Sequence, residues 1–246
     1  NSLNVSLPNV LAWCDSDQPD ILALQETKLT YDRFAVEAVI EAGYHSVYSG
    51  QKTYNGVAIL SREPAENTVT DIDGLDDPQR RILAATIGEV RVIDLYVVNG
   101  SEVGSETYAY KLHWLEQVNR FVADEMQKFE KVIVLGDFNI APDDRDVYDP
   151  EAWHGRILCS APERKALRTM LDFGLADTFR LFEQAENTWS WWDYRMAAFR
   201  RNMGLRIDLV LASRALAENC SAAYIDKEPR RQERPSDHAP AVAEFY

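Results

Sequence analysis

The chain has 246 residues and a formal charge of −14, with 46% apolar and 11% aromatic residues. This balance is typical of a soluble globular enzyme and excludes a disordered chain. No apolar run approaches the roughly 18 residues that a membrane span requires, so we expect no membrane association. The acidic charge argues against nucleic acid as a partner, because proteins that neutralise phosphates are usually basic.

Three cysteines, Cys14, Cys159 and Cys220, form no Cys-x-x-Cys pair. Their number and spacing argue against a disulfide framework and against a thiolate zinc site. They fit a reducing compartment, and no secretory leader is visible, so we expect a cytoplasmic protein. No linker divides the sequence, so we also expect a single domain over residues 1–246. We expect the protein to be a monomer.

Helical and strand patterns alternate in the first half of the chain. In chain order they predict a helix over 3–13, a strand over 21–24, a helix over 34–41 and strands over 56–61, 81–87 and 90–98. The clearest helix is 106–129, where apolar residues recur at three- and four-residue spacings, and another covers 163–173. Loops dominate 141–160 and 189–204, and long loops in a compact enzyme tend to line its site. The expected fold is an α/β sandwich, with sheets inside and helices outside.

Each of four predicted strands has a carboxylate within it or close to one of its ends. The acids and their neighbours are Glu26 after 21–24, Asp137 and Asn139 after 132–135, Asp208 inside 205–211, and Asp237-His238 before 239–245. Each alone could be a turn or cap residue, because Asp and Asn bond nearby backbone amides. Strands in an α/β sheet bring distant positions to one edge, so together these residues predict a single cleft. This set suits a hard divalent cation and a base that hydrolyses a phosphate ester.

Each of these side chains has an expected role in phosphodiester hydrolysis. Mg²⁺ prefers oxygen ligands and keeps several waters, so one or two carboxylates hold it. His238 would stabilise developing negative charge. Glu26 and Asp237 are the expected metal ligands, and Asp237 would also fix the His238 tautomer. Asp137 would orient or deprotonate water, and Asn139 would contact a phosphate oxygen. Tyr96 would donate a hydrogen bond to the phosphate or the leaving group, although it could equally be an ordinary strand aromatic.

One segment is basic despite the net charge. From Trp189 to Arg206 the sequence has four arginines against Asp193 alone, interleaved with five aromatic residues: Arg195, Arg200, Arg201 and Arg206, with Trp189, Trp191, Trp192, Tyr194 and Phe199. Guanidinium groups among aromatic faces suit a loop that holds phosphates and stacks on bases or sugars. We expect Arg200, Arg201 and Trp191 to contact substrate. The alternative is a solvated loop with a few core aromatics.

Seven short motifs then match one known family in order and spacing. They are 25–28 (Gln-Glu-Thr-Lys), 50–52, 54–58, 79–81, 136–139 (Gly-Asp-Phe-Asn), 204–208 and 235–240 (Pro-Ser-Asp-His-Ala-Pro). Each is weak alone, but together they span essentially the whole chain. The sequence therefore resembles the exonuclease III family, the bacterial branch of the apurinic/apyrimidinic endonucleases within the endonuclease/exonuclease/phosphatase superfamily.

The resemblance implies a four-layered α/β sandwich of the DNase I type, with two packed mixed sheets flanked by helices. It implies Mg²⁺- or Mn²⁺-dependent cleavage of double-stranded DNA at 3′ ends, nicks or abasic sites, on the 5′ side of the phosphate, leaving a 3′-hydroxyl. By position, the family's residues match Glu26 (metal ligand), Tyr96 and Asn99 (phosphate), Asp137 (nucleophilic water), Asn139, Asp208 (support), Asp237-His238 and Trp191 (deoxyribose).

The sequence departs from the family pattern in two places. The family opens with a strand ending in Asn-x-Asn, and Asn1 matches its second asparagine, so we expect a first strand to be missing here. The second departure is the bulky pair Trp153-His154, in a loop expected to border the sugar pocket. An extruded internal sugar needs room that these rings would fill, whereas a frayed 3′ end enters a narrower channel. We therefore expect 3′-end processing, as exonuclease, 3′-phosphatase or phosphodiesterase, to exceed abasic-site incision. The alternative is that both rings simply pack against the sandwich.

Two other classes of protein remain possible from the sequence. A related phosphatase acting on inositol phosphates or sphingomyelin would share the strand-end acids and the Ser-Asp-His ending, although the basic aromatic loop disfavours it. A non-catalytic binding module is the other alternative. Such a module would not need Glu26, Asp137, Asp208 and His238 together.

Overall fold

The computed structural model describes residues 3–75 and 77–246. The chain forms two compact units: unit 1 comprises the chain up to Tyr96 together with Ile133–Gly136, and unit 2 comprises Val97–Val132 and Asp137–Tyr246. Asn1, on which the expectation of a missing strand depends, lies outside the described residues. That expectation and the single-domain assignment therefore stay predictions.

The secondary structure mixes helices and strands throughout. The α-helices are α1 (Leu3–Asp17), α2 (Val36–Glu41), α3 (Glu106–Lys128), α4 (Pro150–Trp153), α5 (Ala161–Leu171) and α6 (Arg214–Ala217). The strands are β1 (Ile21–Gln25), β2 (His45–Ser49), β3 (Val57–Ser61), β4 (Ala65–Val69), β5 (Ile82–Ile87), β6 (Val90–Tyr96), β7 (Val132–Asp137), β8 (Leu175–Asp177), β9 (Asp208–Ser213), β10 (Cys220–Ile225) and β11 (Ala241–Phe245).

Unit 1 contains two sheets. In the first, β1 and β2 both pair antiparallel with the fully buried central strand β3, so that Ile21 and His45 each face Ser61. In the second, β4, β5, β6 and β7 follow one another, and the antiparallel register of β5 and β6 pairs Ile82 with Leu95. The side chains of β3 pack into two apolar clusters, because its alternate residues face opposite sides of the sheet.

Unit 2 is built on the long helix α3 and the shorter α5, which are in contact through the Asn119 amide and the Ala166 carbonyl, 3.0 Å apart. A capping box at Ser160 and Glu163 begins α5, since each side chain bonds the other's backbone amide. The unit also contains the antiparallel pairs β8–β9, with Leu175 facing Ser213, and β10–β11.

The predicted elements are found with boundary shifts of a few residues, but four strands and the short helices α4 and α6 were not predicted. Among them β2 and β4 lie at the edges of their sheets, and three of the five residues of β4 are exposed, so neither carries a continuous apolar run. Asp208 is the first residue of β9 rather than an interior one. Cys14 and Cys159 are buried and Cys220 is half-buried. No helix among the described residues is long and apolar enough to cross a membrane.

Candidate active site

The turn after β7 positions Asp137 and Asn139. Gly136 has a φ of +131°, and a Cβ there would lie 2.1 Å from the Leu95 carbonyl oxygen, so only glycine fits. The Asn139 backbone amide donates to Asp137 Oδ1 at 2.9 Å and its side-chain amide to Oδ2 at 3.2 Å. Asn139 itself is left-handed (φ +46°), a conformation that asparagine tolerates. The turn thus fixes both oxygens of a carboxylate that is only 5% exposed.

Asp208 and His238 form the second part of the site. His238 Nδ1 lies 3.0 and 2.9 Å from the two Asp208 carboxylate oxygens. Ser190, which is fully buried, donates its hydroxyl to Asp208 Oδ2 at 2.6 Å and accepts the backbone amides of Ile207 and Asp208. The carboxylate is therefore held from two sides, and it orients the imidazole.

The three groups come together at one place in unit 2. His238 Nε2 lies 3.9 Å from Asp137 Oδ2. One carboxylate oxygen of Asp137, one of Asp208 and one ring nitrogen of His238 all lie within 4.8 Å of one another. Burial alone would lower the pKa of His238, but the charges of Asp208 and Asp137 and the hydrogen bond to Asp208 raise it to about 10. The imidazole is therefore protonated near neutral pH, which makes it a cation suited to a phosphate oxygen and not a base.

Asp237 differs from its expected role. The carboxylate at His238 Nδ1 is that of Asp208, so the prediction that Asp237 fixes the tautomer is wrong. Asp237 Oδ2 instead accepts the indole N–H of Trp191 at 3.1 Å. Asp237 and His238 bond different partners although they are adjacent, which is why sequence adjacency misled here. The expected role of Asp237 at a metal stays a prediction.

A layer of contacts beneath the site was not predicted. The Asn99 side-chain amide donates to Asn139 Oδ1 at 3.2 Å. The ammonium group of Lys111, on α3, donates to the carbonyl oxygens of Asn139 at 2.7 Å and Asn99 at 3.0 Å. Ser190 and Lys111 are thus the residues that sequence reasoning missed. The available signal for Lys111 was a charge inside the apolar face of a predicted helix.

Glu26 and Tyr96 meet within unit 1. The Tyr96 hydroxyl donates to Glu26 Oε1, Lys28 Nζ lies 3.1 Å from Oε2, and the Arg81 guanidinium stacks 4.7 Å from the Tyr96 ring centroid. Burial would raise the pKa of Glu26, but the hydrogen bond from Tyr96 and the neighbouring positive charges, Lys28 among them, lower it. Glu26 is therefore an ionised, partly exposed carboxylate, with 35% of its side chain accessible.

The basic segment has fewer available charges than the sequence suggested. Arg206 is 1% exposed and ion-paired with Asp146 and Asp177, and Arg195 pairs with Asp193 at 2.9 Å. Its aromatics also divide, because Trp189 and Trp192 are buried in a core cluster. Exposed or partly exposed members of the segment include Arg200, Arg201, Trp191 and Tyr194.

The Trp153-His154 pair is split between core and surface. Trp153 packs against the apolar cluster that includes Leu205 and Ile207. His154 is exposed at the end of α4 and lines a shallow depression with Asp144 and Glu151. Of the two rings, that of His154 is therefore the more accessible to a substrate approaching this loop.

Comparison with known proteins identifies the class to which this fold and site belong. Residues 2–238 match the Endonuclease/Exonuclease/phosphatase family, and the chain belongs to that family. It is 34% identical, over 100% of its length and 97% of the relative, to exodeoxyribonuclease III of Haemophilus influenzae.

Two solved structures are similar over nearly their whole length. A 3′ phosphatase from Neisseria bound to a product DNA hairpin has a TM-score of 0.98 and 48% identity, covering 100% of this chain and 96% of that one. An AP endonuclease from Archaeoglobus fulgidus has a TM-score of 0.94 and 36% identity, with the same coverage. The predicted family and the predicted fold class, the DNase I-like α/β sandwich, are confirmed.

Proposed function

We propose that this protein is a divalent-metal-dependent DNA repair nuclease of the exonuclease III type, a hydrolase acting on the 3′ ends of double-stranded DNA. The observation that carries this function is the Asp137–His238–Asp208 constellation. It occurs in a chain whose similar solved structures include a 3′ phosphatase bound to product DNA. We further propose that it acts as a monomer in the cytoplasm.

The charges divide the chemistry between two side chains. Asp137 is the acceptor that orients and deprotonates the attacking water, because its carboxylate is fixed by Asn139 and faces the site. His238, held protonated by Asp208, stabilises the charge that develops on the phosphate oxygens. Asn99, on the segment after β6, offers its side-chain amide to the phosphate, whereas the Asn139 side-chain amide already donates to Val97 O at 2.9 Å and to Asp137 Oδ2 at 3.2 Å.

Glu26 has the properties of a magnesium or manganese ligand. Its carboxylate is ionised and partly exposed, and a hard cation prefers such an oxygen ligand. When bound, the ion would act as a Lewis acid that neutralises the scissile phosphate. Tyr96 orients the Glu26 carboxylate through its hydroxyl. Asp237 is the second proposed ligand.

The preference for 3′ ends over internal abasic sites is the finer part of the proposal. Exposed His154 stands in the loop that would border an extruded sugar, and a terminal nucleotide unpairs at lower cost than an internal one. Arg200, Arg201 and Trp191 would hold the backbone and the sugar of the duplex, with 3′ ends, nicks and abasic sites as substrates.

The test is a set of matched duplexes carrying a 3′-hydroxyl, a 3′-phosphate, a nick or an internal abasic site. We expect cleavage that a chelator abolishes and Mg²⁺ or Mn²⁺ restores, fastest on the 3′ ends. Glu26→Gln should raise the metal concentration needed for half-maximal rate at least tenfold, whereas Glu66→Gln, an exposed acid on β4, should not. Hydrolysis of inositol phosphates without DNA cleavage would instead identify a superfamily phosphatase.

A further inference from the structure

The fully buried ion pair of Lys111 and Glu163 lies beneath the site in unit 2. Both side chains are 0% exposed, and Nζ and Oε1 are 2.5 Å apart. Burying two charges is expensive, and an apolar pair of similar volume commonly stabilises a core as well or better. The pair therefore calls for a reason besides stability.

The contacts of Lys111 supply that reason. Its ammonium group has three N–H donors, and it bonds the Glu163 carboxylate, the Asn139 carbonyl and the Asn99 carbonyl. The last two belong to the turn after β7 and to the segment after β6, which are 40 residues apart in sequence. One cation thus joins the segment that carries Asn99 to the turn that carries Asp137 and Asn139.

Glu163 is anchored independently of Lys111. Its Oε1 accepts the Leu158 amide at 3.0 Å and its Oε2 accepts the Ser160 amide at 3.1 Å and the Ser160 hydroxyl at 2.5 Å. These bonds begin helix α5, and they make the carboxylate a fixed point. Lys111 bonds both this anchored carboxylate and the Asn139 carbonyl, so the carboxylate also fixes the position of the carbonyl.

The chain of bonds ends on the proposed water-orienting carboxylate. Lys111 holds the Asn139 backbone, and Asn139 donates to both oxygens of Asp137. Gly100 leaves room for this arrangement, because a Cβ there would lie 3.0 Å from Lys111 Cδ. Without the ammonium group, two carbonyl oxygens would lose their buried donor, and the left-handed turn at Asn139 would lose its support.

We infer that the Lys111–Glu163 pair positions residues for catalysis. It fixes Asp137, Asn139 and Asn99 relative to one another through two backbone carbonyls. This inference rests on the proposed function of the site. Lys111 does not touch DNA, so its loss should lower kcat and leave KM for DNA unchanged.

The experiment compares Lys111→Met with the double variant Lys111→Met/Glu163→Gln. The single variant leaves an uncompensated buried carboxylate and should unfold at lower temperature, whereas the double variant removes that charge and should recover thermal stability. We expect the folded double variant to keep kcat reduced 10- to 100-fold, with KM and the salt dependence of binding within twofold of the parent. Lys111→Arg should restore part of kcat, since it keeps a buried donor.

Two controls separate positioning from stability. Tyr108→Phe removes the hydroxyl that bonds Ser160 Oγ at 2.7 Å, which perturbs the same cap without touching either carbonyl, and should leave kcat unchanged. Lys128→Met removes a lysine paired with Glu125 on the same helix and should do likewise. A stable double variant with parental kcat would overturn the positioning role while leaving the nuclease assignment intact, whereas a parent that cuts no 3′ end would overturn the proposed function itself.

Discussion

Asp137 and Asp208 are both strand-end acids, yet their surroundings give them different tasks. Both carboxylate oxygens of Asp208 lie within hydrogen-bond distance of His238 Nδ1, and Oδ2 also accepts the Ser190 hydroxyl. Asp137 is held by Asn139 and lies 3.9 Å from the other imidazole nitrogen. In the proposed mechanism, the first acid keeps the imidazole charged and oriented, and the second acts on the water.

Replacing Asp137 or His238 should therefore lower the cleavage rate without preventing folding. We expect Asp137→Asn and His238→Asn to lower cleavage of a 3′-end duplex by about 10²–10⁴-fold, the scale of a positioned acid–base group. Circular dichroism checks that both variants are folded, and Asp143→Asn, a carboxylate bonded locally to Arg145, is the matched control. Parental cleavage by either folded variant would contradict these roles.

Among the elements, the loop that includes α4 governs the choice of DNA substrate in our proposal. Trp153 is partly buried against the core, so His154 is the more available of the two rings to narrow the entrance. His154→Gly should raise abasic-site incision relative to 3′-exonuclease activity on matched duplexes. Glu151→Gly changes an exposed neighbour on α4 and serves as the control. A ratio that does not rise in His154→Gly, or that rises equally in both variants, would contradict the gate.

The elements also show which parts of this protein are accessible from sequence. The long helix α3, the strand β7 and the acids at strand ends follow from periodicity and position, because local pattern alone carries them. The partner of His238 does not, since strand pairing and not adjacency brought Asp208 to it. Lys111 could not be assigned either, because its role exists only once α3, α5 and the turn after β7 pack together.

The same limit applies to the basic segment. Four arginines in the sequence suggested a local excess of positive charge, but two of them form ion pairs within the protein. Arg206 is buried between Asp146 and Asp177, and Arg195 bonds Asp193. Composition counts charges, whereas folding decides which of them a ligand meets.

For the whole molecule, a formal charge of −14 means that DNA binding depends on a small local patch. Surface charges are screened beyond about 10 Å at ordinary salt, so the proposed phosphate contacts of Arg200 and Arg201 would act only at short range. Arg200→Ala/Arg201→Ala should reduce the slope of log binding constant against log salt by about one to two units. Arg120→Ala/Arg214→Ala, two exposed arginines paired with Glu116 and Glu218, removes the same total charge and should not. Equal slopes in both variants would exclude the segment as the phosphate contact.

The distribution of the three cysteines makes the molecule convenient to label. Burial raises the pKa of Cys159 to about 11 and also raises the pKa of Cys14, and both thiols are shielded from solvent. Burial raises the pKa of Cys220, on β10, as well, but this thiol is only half-buried and is more accessible than the other two. Because thiol reactivity requires access as well as thiolate, a maleimide fluorophore added to the native protein should attach at Cys220 first. The enzyme could then be followed on single DNA molecules without an engineered cysteine.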